Sequence, residues 1–306
     1  MSHIEFLQAF AETHNIDSVD TLLTEHAKRY SFQINSRERA KKAITTLTQE
    51  VEIDWRGLRV LDIGCAYGAF TIELAKLGAR AVGIELSEKW LNLAKINAQN
   101  EVEVPFIQCD AASYRACQKL FPYGPFDVIF VNDVFEHIYD TPGLLKNITD
   151  LMAPTSHLYF KVPNGKATRH VLLEGHKSKF GIALLAPDYW SHFVQAPFQI
   201  YYRRWEYFTA LFKEYGLDNL KILNKNHDES HDVTKNHILR DIRKIKQSLK
   251  AENFDNVEQF RFLRTACSYY FEEVEHDLKL MSWEDLFFKY RVTFWEGIIS
   301  TTNKKE

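Results

Sequence analysis

The stretch Val60-Leu-Asp-Ile-Gly-Cys-Ala-Tyr-Gly-Ala-Phe70 constrains what this chain can fold into more than any other. A short apolar strand carries an acid, turns through two glycines and opens an amphipathic helix, Phe70 to Leu77. Glycines at such a turn let backbone N–H groups approach a ligand at the helix N-terminus, with no Cβ in the way. Alone the pair is weak evidence, because tight strand-to-helix turns use glycine for steric reasons. Two further strands strengthen it. The second strand, Arg80 to Ile84, ends at Glu85, about 20 residues after the loop, the spacing at which an acid reaches a ribose hydroxyl. A third, Pro105 to Cys109, ends at Asp110. Each acid by itself passes as a helix cap. Three in phase at the carboxyl edge, where open α/β sheets bind ligands, favour a nucleoside site.

The alternation continues. Phe126 to Val131 reads as a buried strand after a Pro/Gly break, Leu144 to Leu151 as a helix, and Leu158 to Val162 as a strand stopped at Pro163-Asn-Gly165. This rhythm predicts an α/β fold: a doubly wound, mostly parallel sheet with crossover helices. Residues 1–50 carry apolar positions at helical spacing (Phe6, Phe10, Leu22, Ala40, Ile44, Leu47) and are expected to form an N-terminal helical segment. The central domain is expected over 51–224. Its stretch 166–202, rich in His, Pro and aromatic residues, interrupts the rhythm as a site-covering insertion does. From 225 to 306 a helical extension is expected. Ile238, Ile242, Ile245 and Leu249 form one stripe, and Phe260, Leu263, Cys267, Phe271 and Val274 a second. Ser282-x-x-Asp285 opens a third helix, expected to run through Tyr290, Phe294 and Ile298. These helices offer a surface for homodimerisation. Because the strands and the candidate ligand-binding residues lie upstream, a chain ending before Val233 is expected to keep its sheet.

Asp62-Ile-Gly-Cys-Ala-Tyr-Gly68, together with Glu85 and Asp110, resembles the first motifs of the class I S-adenosylmethionine-dependent methyltransferases, over roughly residues 55 to 223. The resemblance implies a Rossmann-like fold and S-adenosyl-L-methionine as cofactor. It implies a loop of Asp62, Gly64, Cys65, Ala66 and Gly68 around the methionine and ribose, Ala66 standing where many members have glycine. Glu85 and Leu86 would then meet the ribose, Asp110 and Ala111 the adenine, and Asn132 the methionine side.

Asn132-Asp-Val-Phe-Glu-His137 comes directly after the fourth strand and resembles an acid-x-x-Glu-His stretch of the family's small-molecule branch, which includes ubiquinone-pathway and glycan O-methyltransferases. Methyl transfer to a hydroxyl needs alignment and a proton acceptor, and a histidine suits the second task. His137 is therefore the expected catalytic base. In ubiquinone-pathway members the positions of Asp133, Glu136 and His137 can hold a divalent cation; with Asp at the first position, the site expected here has no metal. His192 between Trp190 and Phe193 is a further candidate at the acceptor. So is the cluster Tyr189, Tyr201, Tyr202, Arg203 and Arg204, suited to a sugar, an aromatic ring or an anion. Tyr30, Arg37 and Arg39 stand before the first strand; an arginine there can pair with a carboxylate or lie on a solvated helix face.

Composition narrows the partners. Lys and Arg total 38 against 41 acids, a net charge of −3, which gives no electrostatic case for nucleic acid. Asn132-Asp-Val-Phe135 also lacks the Pro-Pro pair of amino-methylating DNA enzymes. No run reaches the length of a membrane span and nothing at the N-terminus reads as a secretory signal. Four scattered cysteines without C-x-x-C spacing indicate neither zinc cage nor disulfide framework, and fit a cytoplasmic protein. The expected function is methyl transfer to a small-molecule or glycan acceptor, at a hydroxyl oxygen. Two alternatives stand beside it: a catalytically silent methyltransferase-like scaffold, and an NAD(P)-dependent oxidoreductase, which Ala66 and Tyr67 fit poorly.

Overall fold

In the computed structural model the described residues are 2–195, 200–225, 230–251 and 257–301. Parts of three expected segments lie outside them: residue 1 of the N-terminal segment, 196–199 of the insertion, and 226–229, 252–256 and 302–306 of the extension. In chain order the elements begin with four helices, α1 (Ser2–Thr13), α2 (Val19–Thr24), α3 (Ser31–Ile34) and α4 (Ser36–Val51). The alternating part comprises β1 (Arg59–Ile63), α5 (Ala69–Lys76), β2 (Arg80–Glu85), α6 (Glu88–Ala98), β3 (Phe106–Gln108), α7 (Tyr114–Cys117), β4 (Phe126–Asn132), α8 (Thr141–Leu151) and β5 (Met152–Pro163). Then come α9 (Thr168–Leu172), α10 (Trp205–Glu214), β6 (Leu220–Ile222), α11 (His231–Ala251), α12 (Val257–Leu280), α13 (Trp283–Tyr290) and β7 (Phe294–Thr301). The strands form one seven-stranded sheet in the order β3-β2-β1-β4-β5-β7-β6.

The chain divides into two compact units, one of 1–132, 140–160 and 299–306, the other of 133–139 and 161–298. In the first, β1 pairs in parallel with β2 on one side and β4 on the other, Leu61 standing between Val82 and Ile129. After β3 the chain crosses to the far side of β1. The strand order therefore reverses between β1 and β4, and such a switch point opens a crevice at the carboxyl ends. Val60, Leu61, Val128, Ile129 and Phe130 are fully buried, which explains why these strands read as apolar runs rather than alternating ones. The N-terminal helices join this unit through an aromatic cluster: Phe6 and Phe10 of α1 pack on Tyr67 of the glycine turn.

In the second unit α9, α11, α12 and α13 share a core in which Ile238, Ile242 and Ile245 meet Leu263, Cys267 and Val274. The two helical stripes seen in the sequence thus face one another, except at Phe260, which is exposed. Ser282 caps α13 by accepting the Asp285 N–H, as the motif predicts. The helix nevertheless ends at Tyr290, and Phe294–Thr301 is a strand instead of its continuation. Apolar residues four apart satisfy either period in a short run, and the β-branched Ile298-Ile299 pair tips the balance to strand. Asn164 fixes the break, its side-chain amide donating to the carbonyls of Lys289 and Val292 at 2.8 Å each.

Candidate functional site

Within the first unit the turn after β1 is built by backbone shape. Gly64, Ala66 and Gly68 have φ of +67°, +46° and +73°, all in the left-handed region. Glycine enters it freely, whereas Ala66 does so at a cost of about 1–2 kcal/mol. Gly68 has a second reason to lack a side chain: a Cβ there would lie 2.6 Å from the Phe106 ring. Asp62 is buried and its Oδ2 accepts from the Thr71 N–H at 3.1 Å and hydroxyl at 2.7 Å, tying the strand end to the first turn of α5. Burial raises its pKa to about 7, the charge of Glu85 adding to the effect. Burial also pushes the Cys65 thiol well above its ordinary range, so Cys65 offers this loop its backbone rather than a nucleophile.

The acids at the strand ends take different postures. Glu85 is buried at the end of β2, its two oxygens accepting from the N–H groups of Ala66, 3.2 Å, and Ser87, 3.0 Å. A carboxylate held this way lies against the glycine turn. Asp110 is exposed and accepts from the Ala112 N–H at 3.0 Å, while the Ala111 carbonyl receives the Asn147 amide at 2.9 Å. Leu86 is 65% exposed beside Glu85. Asn132 ends β4, one residue past the Ile63–Val131 pair, which brings it beside Gly64 at the switch point. All ten expected cofactor residues therefore fall in this unit.

The second unit holds His137 and what surrounds it. Asp133 has φ +56°, and a short 3₁₀ turn runs over Phe135–His137. The Glu136 side chain is 1% exposed, and neither of its carboxylate oxygens has a hydrogen-bond partner. Burial, with the charge of Asp133, raises its pKa well above the ordinary carboxylate range. His137 Nε2 and His176 Nε2 each lie 3.9 Å from Glu136 Oε1. The two rings meet edge to face at 5.4 Å. Burial and the facing His176 lower the His137 pKa to about 4, so its ring is neutral at neutral pH.

His176 is in turn held by Glu174. That carboxylate accepts from His176 Nδ1 at 2.8 Å, from the Tyr202 hydroxyl, and from the backbone N–H groups of His176 and Lys177. Burial alone would raise its pKa; these bonds outweigh it and hold the group at about 2. Sequence reasoning misses Glu174 and His176, since an isolated Glu-Gly-His carries no motif and only the fold brings it to the 136–137 turn.

Other expected residues take structural parts. Arg203 donates to the carbonyls of Phe135, Ile138 and Tyr139, and the Tyr201 N–H donates to that of Glu136. The 201–203 segment thus straps the turn that carries Glu136 and His137. His192 stands in an exposed position against Phe262, with Glu258 at 4.0 Å. Arg37 is neither solvated nor open to a ligand: it is buried in ion pairs with Glu73 and Glu101.

Comparison with known proteins shows the family. A family model described as a methyltransferase domain matches residues 32–222, more than half of the chain. The ubiquinone biosynthesis O-methyltransferase of Albidiferax ferrireducens is 32% identical over 116 residues, 38% of this chain and 45% of that protein. That of Ralstonia nicotianae is 28% identical over 130 residues, 40% and 53% respectively. The chain spans about half the length of the curated relatives it matches. Among solved structures, a Haemonchus contortus phosphoethanolamine N-methyltransferase, crystallised with S-adenosylhomocysteine, is 16% identical with a TM-score of 0.47, covering 86% of this chain and 53% of that one. A Synechocystis magnesium protoporphyrin IX methyltransferase with bound S-adenosylmethionine is 17% identical with a TM-score of 0.40, covering 62% and 71%. The family match joins the glycine turn, the switch point and the acids into one conclusion: this chain belongs to the methyltransferase-domain family.

Proposed function

We propose that the protein transfers the methyl group of S-adenosyl-L-methionine to a hydroxyl oxygen of a small-molecule or glycan acceptor. One observation carries the cofactor half: the buried Glu85 carboxylate, held against a glycine turn at the sheet's switch point by two backbone N–H groups. In this reading the backbone from Gly64 to Gly68 cradles the methionine and ribose, with Asp62 bracing the turn from beneath. Glu85 and Leu86 take the ribose, Asp110 and Ala111 the adenine, and Asn132 the methionine side. The positions of these groups along one carboxyl edge support it.

The acceptor half is supported by the curated relatives, whose names place their chemistry at oxygen. The reaction forms an O–CH₃ bond, breaks the S–CH₃ bond to leave a thioether, and releases the hydroxyl proton. His137 is the residue that acts on that hydroxyl, through the lone pair of an imidazole that burial keeps neutral. In this reading the described part of the insertion, 166–195 and 200–202, covers the acceptor and sets its identity. Four buried free thiols support a reducing, cytoplasmic setting. Among the described residues no helix is long and apolar enough to cross a membrane.

The test is methyl transfer from labelled S-adenosylmethionine to a panel of phenols, catechols and glycosides, read by mass spectrometry. A labelled methyl ether is the expected product, and His137→Ala should lower its rate by roughly 10²–10⁴ while leaving cofactor affinity in place. Label found only on amines would redirect the reading to nitrogen.

A further inference from the structure

The stripes that the sequence offers for homodimerisation are taken up inside the second unit, where Ile238, Ile242 and Ile245 of α11 meet Leu263, Cys267 and Val274 of α12. The outward face of α12 is left over. Arg261, Arg264, Ser268, Glu272 and Glu275 are exposed along it. The arginines stand seven and four residues before Ser268 and the glutamates four and seven after it, the spacing of one stripe on one side of a helix. The stripe is therefore basic before Ser268 and acidic beyond it. Farther out the signs reverse in step, with exposed Glu258 ten residues before Ser268 and exposed Lys279 eleven after.

We propose that this face binds a second copy of the chain, with the two α12 helices antiparallel across a two-fold axis at Ser268. It is a different face from the apolar stripes that the sequence brings forward. The pairing goes beyond the proposed reaction and involves neither its cofactor nor its acceptor.

Charge decides the orientation. In an antiparallel pair centred on Ser268, position 264 stands opposite 272 and position 261 opposite 275. The two-fold repeats each contact, so Arg meets Glu at every one of these positions. Glu258 and Lys279 come opposite one another to within one residue. A parallel two-fold would set each charge against its own copy, an arrangement that repels. Among the described residues Arg261, Arg264 and Glu272 form no ion pair, and Glu275 meets Lys246 only at 4.0 Å. These charges are therefore available to a partner.

Packing agrees with charge. A serine at the axis lets two helices approach closely, while Tyr269 beside it is 70% exposed and Val257 at the helix start 82%. With Phe260 and Thr265 they border an open groove of about 650 Å³ along the arginine half. The acidic half of the second copy lies along that groove and brings its Leu280, also exposed, to the end that carries Val257. One seam of a 24-residue helix, about 36 Å long, is a small interface, so association in the range of about 1–100 μM is expected. The pairing also braces the helix on which the insertion leans. Gln259 of α12 donates to the His192 carbonyl, and the Phe262 ring lies 4.7 Å from that of Tyr189.

Sedimentation equilibrium of the untagged full chain, at concentrations up to about 200 μM, tests the pairing without turnover. A monomer–dimer equilibrium is expected, weaker in high salt because the paired charges are screened. Arg264→Glu and Glu272→Arg should each weaken the dimer by at least about tenfold, since each turns two attractive contacts into two repulsive ones. The double variant exchanges the charges across the axis and should return to within about threefold of wild type. Ser268→Cys should give a cross-linked dimer under mild oxidation. Arg261→Cys should not, because the axis holds the two copies of that position about 21 Å apart. All four positions are exposed, and circular dichroism checks that each variant is folded. A folded chain that stays monomeric throughout would overturn the proposal. So would a dimer that both single reversals leave intact, a double variant that stays as weak as its parents, or cross-linking at 261 as ready as at 268.

Discussion

Burial raises Asp62 to about 7, the charge of Glu85 adding to it and the two bonds from Thr71 opposing it. The folded state therefore holds this proton more tightly than the unfolded chain, where the carboxyl titrates near 4. Linkage fixes the sign. Stability from this group is fully present below about pH 4, declines as pH rises toward 7, and is level beyond. Asp62→Asn keeps an oxygen for Thr71 and removes the proton. Urea denaturation between pH 4 and 8 should show wild type losing stability relative to the variant across that window. Parallel curves would mean that Asp62 is ionised in the fold at all these values. Ala66 sits beside it in the left-handed region, and a strained alanine at a ligand-facing turn is tolerated only where the surroundings hold it. Here the Glu85 carboxylate does so from below.

Among the elements, the strap at 201–203 has the most direct consequence for chemistry. Arg203 reaches three carbonyls of the turn that carries Glu136 and His137. Arg203→Ala should cost about 1.5–3 kcal/mol of stability, the range for hydrogen bonds to a charged group. It should slow methyl transfer more than it weakens cofactor binding, because the cofactor residues lie on other elements. Arg203→Lys should recover little, since an ammonium cannot match the fork of a guanidinium. Equal loss of affinity and rate would show that the strap supports the glycine turn as well. These elements are unequally legible in the sequence. The turn at 64–68 and the acids at 85 and 110 can be read because each ends a strand whose apolar run is distinct. His137 can be placed because it comes directly after such a strand. Glu174 and His176 cannot, since a contact made by an irregular segment leaves no period behind. The role of Arg203 is hidden for the same reason: its partners are backbone carbonyls, which sequence does not mark.

At the scale of the whole molecule the extension changes meaning. As helices alone, residues 225–306 would be removable, and β7 shows otherwise: it lies between β5 and β6 in the sheet. Its apolar spacing matches a helix and its β-branched end matches a strand, so periodicity alone does not decide. A chain ending before Val233 would lose an internal strand and leave the flanking strands with bare edges. Sedimentation of that truncated protein should show aggregates, and circular dichroism a loss of ordered structure; a monodisperse, cofactor-binding fragment would contradict the role given to β7. The measurement that most directly tests the central claim is isothermal titration of the full chain with S-adenosylhomocysteine. One site per chain is the expected result, weakened by about 1–3 kcal/mol in Glu85→Ala as a charged acceptor is withdrawn from the ribose hydroxyls. A folded wild-type protein that takes up no S-adenosylhomocysteine, or a Glu85→Ala variant that binds it as tightly as wild type, would contradict the assignment of the site.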